Sequence, residues 1–492
     1  MINPKFSGSS SSRFSVLFSA LLLAGCTTVG PDYQRPAFDL PTTGGITEQK
    51  PGYSTEARVM HTATVDDAAL RNWWKSFQDP VLDQLLGEAQ AANQDLVLAA
   101  GRVEEARATL AVANADRYPA VDANFSAKRT RNTQNSDLVP PGFNVYRKDF
   151  QMGLNASWEL DFWGKLSRAD EAARARLLSQ QASKGFVETS LYSNIAQNYF
   201  ALRSYDAQLQ LAESALGTRQ ENLRLQQKRL AAGSIGAVDL HQAEAEVAAT
   251  EVTAAQAKQF VVLTESVLAV LLGRSPREIA APVIPRGQSI DMLYAQLTVP
   301  ANLPADLLDR RPDIVAAEQN LVGANADVGQ AKAQYFPSVT LTSGVGYESN
   351  ALKNLINPSS ILWNLGAGLT QPIFRAGAIG ALVSGAEARK TQAKAHYVQT
   401  VQNAFKDVHD SLVTMAANEQ IYGATQRRTA ALKDTLRLAG LRYDNGYTSY
   451  LDVLTAQRDL LQTQSSLIDV QRSHLSAAVN LYKAIGGGWE NN

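Results

Sequence analysis

The sequence RLAAG at residues 229–233 returns as RYDNG at residues 442–446, and an aspartate stands six positions after the glycine of each copy. These aspartates, Asp239 and Asp452, are 213 positions apart, as are the two glycines. Mostly apolar residues recur every seven positions ahead of both glycines, in matching register: Ile195, Leu202, Leu209, Leu216, Leu223 and Leu230, then Val408, Met415, Tyr422, Thr429, Leu436 and Tyr443. A seven-residue repeat around a glycine turn predicts an antiparallel coiled-coil hairpin, and its recurrence predicts two internal structural repeats.

Helix length is the next constraint. Residues 166–232 keep the seven-residue pattern and contain no proline. At ~1.5 Å per residue, an uninterrupted helix over this segment would be about 100 Å long. No compact globular domain accommodates such a helix, so we predict coiled-coil hairpins over about 166–273 and about 378–486.

Two regions of alternating apolar and polar residues, about 120–160 and about 338–373, each follow an aromatic-proline pair that stops a helix, at 118–119 and 336–337. Each region predicts two strands with one apolar face and a long connection, as expected for transmembrane strands of about 9–11 residues. Four strands cannot close a barrel when the smallest barrels use about eight. The sequence therefore predicts an oligomer.

The N-terminus has the features of a lipoprotein export signal. Residues 1–25 carry basic residues ahead of an apolar run, which is typical of a signal peptide. Residues 23–26 (LAGC) resemble the bacterial lipobox, in which the new N-terminal cysteine, here Cys26, is acylated. Thr27 follows in place of Asp, which in such lipoproteins implies release to the outer membrane. No later apolar run approaches the roughly 18 residues of a spanning helix, so we expect membrane crossing only as a barrel.

The other segments complete the predicted domain organisation. Their bounds are 26–78 for a lipidated N-terminal tether, 79–273 for repeat 1, 274–303 for a linker or equatorial segment, 304–486 for repeat 2 and 487–492 for a C-terminal tail. The tether is rich in Pro, Gly and Thr and lacks sustained periodicity, so we expect it to be extended.

Composition excludes several kinds of function. The net charge is -1, from 46 basic and 47 acidic residues, so no basic field is available to bind nucleic acid. The single cysteine excludes internal disulfides and Cys-based metal sites. The five histidines form no His-x-x-x-His pair, and no catalytic constellation is present. We therefore expect neither an enzyme nor a metal site, and no cofactor besides the covalent lipid on Cys26.

An ordered set of motifs resembles the TolC family of outer-membrane efflux ducts, specifically its lipidated OprM and NodT type. The motifs cover nearly the whole mature chain: GPDY after the lipobox (30–33), WWKSF (73–77), SWELDFWG (157–164), LLDRRPD (307–313), QPIF (371–374) and RYDNG (442–446). The resemblance implies a mainly α-helical fold with a β-barrel part. Long antiparallel coiled-coil helices would form an α-barrel tunnel, and four transmembrane strands per chain would give a 12-stranded barrel in a trimer.

The same resemblance implies a function and an assembly. The homotrimer would lie in the outer membrane, contact its lipid and extend its tunnel into the periplasm. It would be the passive exit duct for drugs or other small toxic compounds. Its partners would be a periplasmic adaptor and an inner-membrane pump of the resistance-nodulation-division (RND) class, an ATP-driven ABC-type pump being the other option.

The resemblance also locates a periplasmic gate at the helical turns. Asp452 matches an acidic position that rings the closed aperture, and Tyr443 matches a tyrosine that tethers the inner coiled coil; Asp239 is the counterpart on the matching turn. Thr448 and Thr455 depart from the family pattern, standing where members place an arginine and a second aspartate. A simple helix-start role for Asp452, stabilised by the helix dipole, remains open.

Two other classes of protein share some of these sequence features. A lipid-anchored periplasmic adaptor (membrane fusion protein) of an export system also uses long helical hairpins, but it needs halves of a lipoyl-like β-domain around one hairpin. Here two equivalent hairpins flank apolar-faced strands. An anchored periplasmic enzyme would need a catalytic site, which the sequence lacks.

Overall fold

A computed structural model describes residues 28–38, 70–133, 145–297 and 310–489. The signal peptide and Cys26 lie outside these residues. The described elements are α1 (Pro80–Ala92), α2 (Gln94–Ala115), β1 (Ala120–Arg131), β2 (Tyr146–Leu160), α3 (Lys165–Ala231), α4 (Ala237–Leu271), α5 (Pro276–Ala280), α6 (Ile290–Gln296), α7 (Pro312–Ala333), β3 (Ser338–Ser349), β4 (Ile361–Thr370), α8 (Ala378–Asp444) and α9 (Tyr450–Ala484).

The internal repeat is visible in the helix lengths. The helices α3 and α8 each have 67 residues, α4 and α9 each have 35, and α2 and α7 each have 22. Equivalent positions are 213 residues apart in the long helices and 218 apart in α2 and α7. The offset changes between the strands, where β2 has 15 residues and β4 has 10. The predicted long antiparallel helices and four strands are confirmed.

The four strands form one antiparallel sheet in the order β1-β2-β3-β4. The register pairs Phe125 with Met152 in the first hairpin and Val345 with Trp363 in the second. Side chains alternate between faces along a strand, so the register gathers the apolar residues on one face and leaves Asn, Ser, Thr and Gly on the other. The alternation of apolar and polar residues in the sequence therefore produces a sheet with one apolar face.

The described chain divides into two compact units, and the first contains the sheet (residues up to 37, 102–180 and 317–397). Residues 28–37 form neither helix nor strand, yet they are held by several bonds within this unit. The Val29 N–H donates to the Trp163 carbonyl at 3.0 Å, and Arg168 pairs with Asp32 at 2.8 Å. Arg35 donates to the buried Glu318 carboxylate at 2.7 Å. This part of the predicted tether has no regular secondary structure and is bound to the first unit.

The second unit (38–101, 181–316 and 398 onward) has its own apolar core. Trp73 and Phe77 are fully buried in this core, and Trp73 stacks on Tyr482 with ring centroids 5.6 Å apart. The buried Asp79 caps α1 and also accepts a bond of 2.7 Å from the Tyr199 hydroxyl. Residues 70–78, which the sequence assigns to the tether, are thus part of the folded body. Their three aromatic side chains, Trp73, Trp74 and Phe77, are too few to show periodicity but remove enough apolar area from water to fix the segment.

Helix α4 differs from the expectation that no segment after the signal peptide is long and apolar enough to span a membrane. Among the described helices, Ala237–Leu271 alone is long and apolar enough to cross a membrane by length and composition, with a window mean hydropathy of 1.2. Only 22% of that window is buried inside the chain. The seven-residue seam accounts for one side of this helix, whereas apolar residues such as Val252 and Val262 lie exposed on other sides.

Candidate functional site

The predicted gate residues lie at two helical turns of the second unit, which share one backbone design. Gly233 ends α3 with φ +70°, and Gly446 ends α8 with φ +75°. The next residue donates its N–H back to the helix in both turns: Ser234 to Arg229 at 2.9 Å and Tyr447 to Arg442 at 2.8 Å. A glycine with positive φ and this bond form a Schellman-type C-cap. The repeated sequence therefore encodes a repeated turn.

Tyr443, in the last turn of α8, contacts three residues on neighbouring helices. Its hydroxyl donates to the Gln226 Oε1 of α3 at 3.2 Å, and Gln226 is buried. Its ring lies 5.3 Å from the Tyr450 ring, and the Arg229 guanidinium lies 5.1 Å from its ring centroid. Burial raises the pKa of Tyr450 in this cluster. Tyr443 thus connects the second hairpin to the first.

An ion pair beside Tyr443 makes the same connection. The Arg229 Nη2 of α3 lies 3.2 Å from the Asp444 Oδ1 of α8. Burial acts against the charged form of Arg229, but its bonds to Tyr443 and Asp444 outweigh this and raise its pKa. The guanidinium therefore stays charged and serves both as a cation over the ring and as an ion-pair partner.

A second link between the hairpins lies further along the helices and is more deeply buried. Glu246 of α4 is 4% exposed, and its Oε1 accepts a bond of 2.6 Å from the Arg458 Nε of α9. The buried Arg219 of α3 lies 3.6 Å from the other carboxylate oxygen and bonds Thr250. Burial lowers the pKa of Arg219, which Glu246 opposes, whereas the bond to Glu246 raises the pKa of Arg458. One buried carboxylate therefore joins three helices.

The two predicted aspartates have different surroundings from Tyr443. Asp452 lies in the first turn of α9, is exposed, and accepts a hydrogen bond from the Thr448 hydroxyl. Asp239 lies in the first turn of α4 and is half-buried. Both positions favour a carboxylate through the helix dipole. Thr448, which stands at the position of the family's arginine, bonds only within its own turn. The basic side chains that link the two hairpins are Arg229 and Arg458.

The apolar heptads do not predict the buried polar residues of these links. Arg219 and Gln226 are seven positions apart, in register with the buried Ala212. A polar residue repeated at the period of an apolar seam is the signal that points to a buried bond. Among the described residues, no three His, Cys, Asp or Glu side chains are grouped as metal ligands would be.

Comparison with known proteins identifies this architecture. The model of the outer membrane efflux protein family matches residues 85–274 and 303–487. The chain belongs to this family. It is 36% identical to the cation efflux system protein CusC of Escherichia coli O6:H1, over 96% of the chain and 97% of the relative. It is 34% identical to the solvent efflux pump outer membrane protein SrpC of Pseudomonas putida, over 96% and 97%.

Solved structures agree with the family. The outer membrane channel CmeC of Campylobacter jejuni superposes with a TM-score of 0.86 at 26% identity, covering 94% of the chain and 96% of the channel. A crystal structure of CusC gives 0.81 at 34% identity, covering 94% and 100%. These findings confirm the predicted fold class, outer-membrane localisation and efflux-duct function. An outer membrane efflux protein is a passive channel and not an enzyme, and the adaptor alternative is set aside.

Proposed function

We propose that three copies of this efflux protein form one continuous duct, with a 12-stranded barrel in the outer membrane and a 12-helix tunnel in the periplasm. The observation that carries the proposal is the sheet, in which β1 and β4 each pair with a single neighbour and one face is apolar. Three such sheets joined at these edges leave no strand edge exposed to lipid.

The cargo and partners follow from the family. The relatives named for cations, solvents, toluene and antibiotics are all 34–36% identical to the chain. This similarity does not favour one cargo, so we propose a passive duct for drugs and other small toxic compounds. A periplasmic adaptor would join it to an inner-membrane pump, of the resistance-nodulation-division class or an ATP-driven one.

The lipid anchor is proposed to lie beside the barrel. Val29 is bonded to Trp163, which follows the end of β2 by three residues. Cys26 precedes Val29 by three residues, which span at most about 10 Å. Acyl chains on Cys26 would then enter the leaflet next to the helical end of the sheet, and they would aid targeting without spanning the membrane.

The gate is proposed to lie at the turns after α3 and α8. Tyr443, supported by Gln226 and Arg229, would hold the second hairpin against the first in the closed state. Asp452, with Asp239 from the matching turn, would place carboxylates at the narrowest point around the three-fold axis. A ring of like charges spaced within a Debye length favours cations and repels anions.

Assembly gives the direct test. The mass of the purified protein in mild detergent should be that of a trimer, and Cys26→Ser should stay in the membrane fraction after a carbonate wash. A monomer would contradict the barrel. Release of the Cys26→Ser variant by carbonate, with wild type retained, would mean that the lipid and not the barrel holds the protein in the membrane.

A further inference from the structure

One end of the first strand hairpin has basic side chains on its apolar face. Arg129 and Arg131 lie on β1, and Lys148 lies on β2. The register pairs Arg129 with Lys148 and Arg131 with Tyr146. Directly paired residues share a face of the sheet, so these four side chains form one patch, which we call the rim patch. All four are exposed.

The rim patch continues an apolar surface along the same face. The residues below it on this face are Val121, Ala123, Phe125 and Ala127 on β1 and Phe150, Met152, Leu154, Ala156 and Trp158 on β2. Under the proposed function this is the face that meets lipid. Three cations on a lipid-facing surface need an explanation, since charged side chains at the bilayer midplane cost about 2–4 kcal/mol in such barrels.

The position of the rim patch along the strand removes that cost. From Val121 to Arg131 is ten residues, or ~33 Å along a strand. A tilt of about 40° reduces this to a height of about 25 Å, which is the height of the apolar band of an outer-membrane barrel. With Val121 at one edge of the band, the rim patch lies at the other edge. Tyr146 fits this level, because aromatic residues collect at membrane interfaces.

The end of the strands identifies the leaflet. At the rim patch, β1 and β2 are connected to each other by residues 132–145. At their other ends they continue into α2 and α3, and a 67-residue helix needs the aqueous periplasm. The rim patch therefore belongs to the outer leaflet.

The described part of the chain provides no carboxylate partner for the rim patch. Among the described residues, no carboxylate forms an ion pair with Arg129, Arg131 or Lys148. Asp149 lies on the opposite face, where Gln151 donates to it at 3.3 Å. The Arg129 and Arg131 guanidinium carbons lie 5.2 and 5.9 Å from the Tyr146 ring centroid, which holds both side chains over one ring.

The second hairpin serves as an internal comparison. On the same face, toward the corresponding end of its strands, it has Tyr347, Ser349 and Ile361, none of which is charged. The basic rim patch is thus a feature of the first hairpin and not of every strand end in the sheet.

We propose that the rim patch binds the phosphate groups of anionic glycolipids in the outer leaflet. Two guanidinium groups and an ammonium beside an aromatic ring suit a phosphate, which accepts paired bonds from arginine. The lipid chains would cover the apolar residues below. The inference rests on the proposed function, since it needs the apolar face to meet lipid.

The test uses the purified full-length oligomer and two variants that lose the same charges from the same strands. Arg129→Gln with Lys148→Gln removes two cations from the rim patch. Lys128→Gln with Arg147→Gln removes one Lys and one Arg from the opposite face, one position away. Native mass spectrometry would measure binding of bis-phosphorylated lipid A and of the same lipid without phosphates.

Wild type should prefer the phosphorylated lipid. The rim-patch variant should bind it about 30-fold more weakly, since each basic residue near a charged surface contributes about a factor of five. The opposite-face variant should bind it within about twofold of wild type. Two outcomes would overturn the proposal. One is an equal loss of lipid affinity in both variants, and the other is a wild-type trimer that binds the lipid equally well with and without its phosphates.

Competition distinguishes the source of the phosphate. Inorganic phosphate at millimolar concentration should not displace the phosphorylated lipid; full displacement would indicate a free-anion site and overturn the lipid assignment. A wild-type protein that is monomeric and does not enter lipid nanodiscs would contradict the proposed function as well. A trimer in nanodiscs without phosphate preference contradicts only this inference.

Discussion

The turn after α3 and the turn after α8 have one backbone and two sets of side chains. Each follows a 67-residue helix, ends at a glycine with positive φ and leads into a 35-residue helix. The side chains diverge at equivalent positions: Leu230 corresponds to Tyr443, and Glu246 corresponds to Asp459. Glu246 is buried in a charge cluster, whereas Asp459 is exposed.

This difference explains how two similar hairpins are joined. In two of the links the first hairpin supplies the buried acceptors Gln226 and Glu246, and the second supplies the donors Tyr443 and Arg458 that reach them. The exposed ion pair between Arg229 and Asp444 has the opposite direction. Exchanging the roles would not work, because residue 245, equivalent to Arg458, is Ala. The duplicated backbone provides two scaffolds, and the side chains that differ decide how they are linked.

The largest effect on stability is expected at Glu246, which is buried whereas its equivalent Asp459 is exposed. Glu246→Ala leaves the buried Arg219 without its carboxylate, and removing one partner of a buried ion pair costs about 3–5 kcal/mol. The matched control Asp459→Ala changes an exposed residue at the equivalent position and should stay within about 0.5 kcal/mol. Thermal unfolding of the detergent-solubilised protein, followed by circular dichroism of the helices, measures both. Similar losses for the two variants would show that the buried cluster contributes no special stability.

A smaller effect is expected at the aromatic link. Tyr443→Phe removes the hydroxyl that bonds Gln226, and a neutral hydrogen bond contributes about 1 kcal/mol. If the bond holds the closed state, the equilibrium should shift toward opening about fivefold. Single-channel conductance in a planar bilayer should rise. Tyr447→Phe, at an exposed position of the same turn, is the control; an equal rise in that variant would contradict a tether at Tyr443.

The smallest expected effect separates the two aspartates. Asp452→Asn should weaken the cation preference of the closed channel, because it removes three exposed carboxylates from the trimer. Asp239→Asn should change it less, since Asp239 is half-buried. Reversal potentials in a salt gradient measure both changes. Unchanged potentials for Asp452→Asn would leave this residue as a helix-start carboxylate only.

The helices could be predicted from the sequence, whereas the side-chain links between the two hairpins could not. The heptads around Gly233 and Gly446 specified the hairpins because a seven-residue apolar period has one packing solution over many turns. The strand alternation around Phe125 and Val345 specified the apolar face for a similar reason. Trp73 and Phe77 were assigned to the tether and not to the core, because a few aromatic residues after a Pro-rich segment show no period.

The sequence by itself determined the two repeats, the helix lengths, the turns at Gly233 and Gly446 and the strand faces, since each depends on residues near one another in the chain. Only the tertiary structure decided that Glu246 lies between Arg219 and Arg458, and that Tyr443 reaches Gln226. The partners in these links are 27 to 217 residues apart in the chain. In the sequence, a glutamate or tyrosine that forms such a link looks the same as one that is exposed on a helix surface. These bonds are strong because they are buried, and they become buried only when the helices pack.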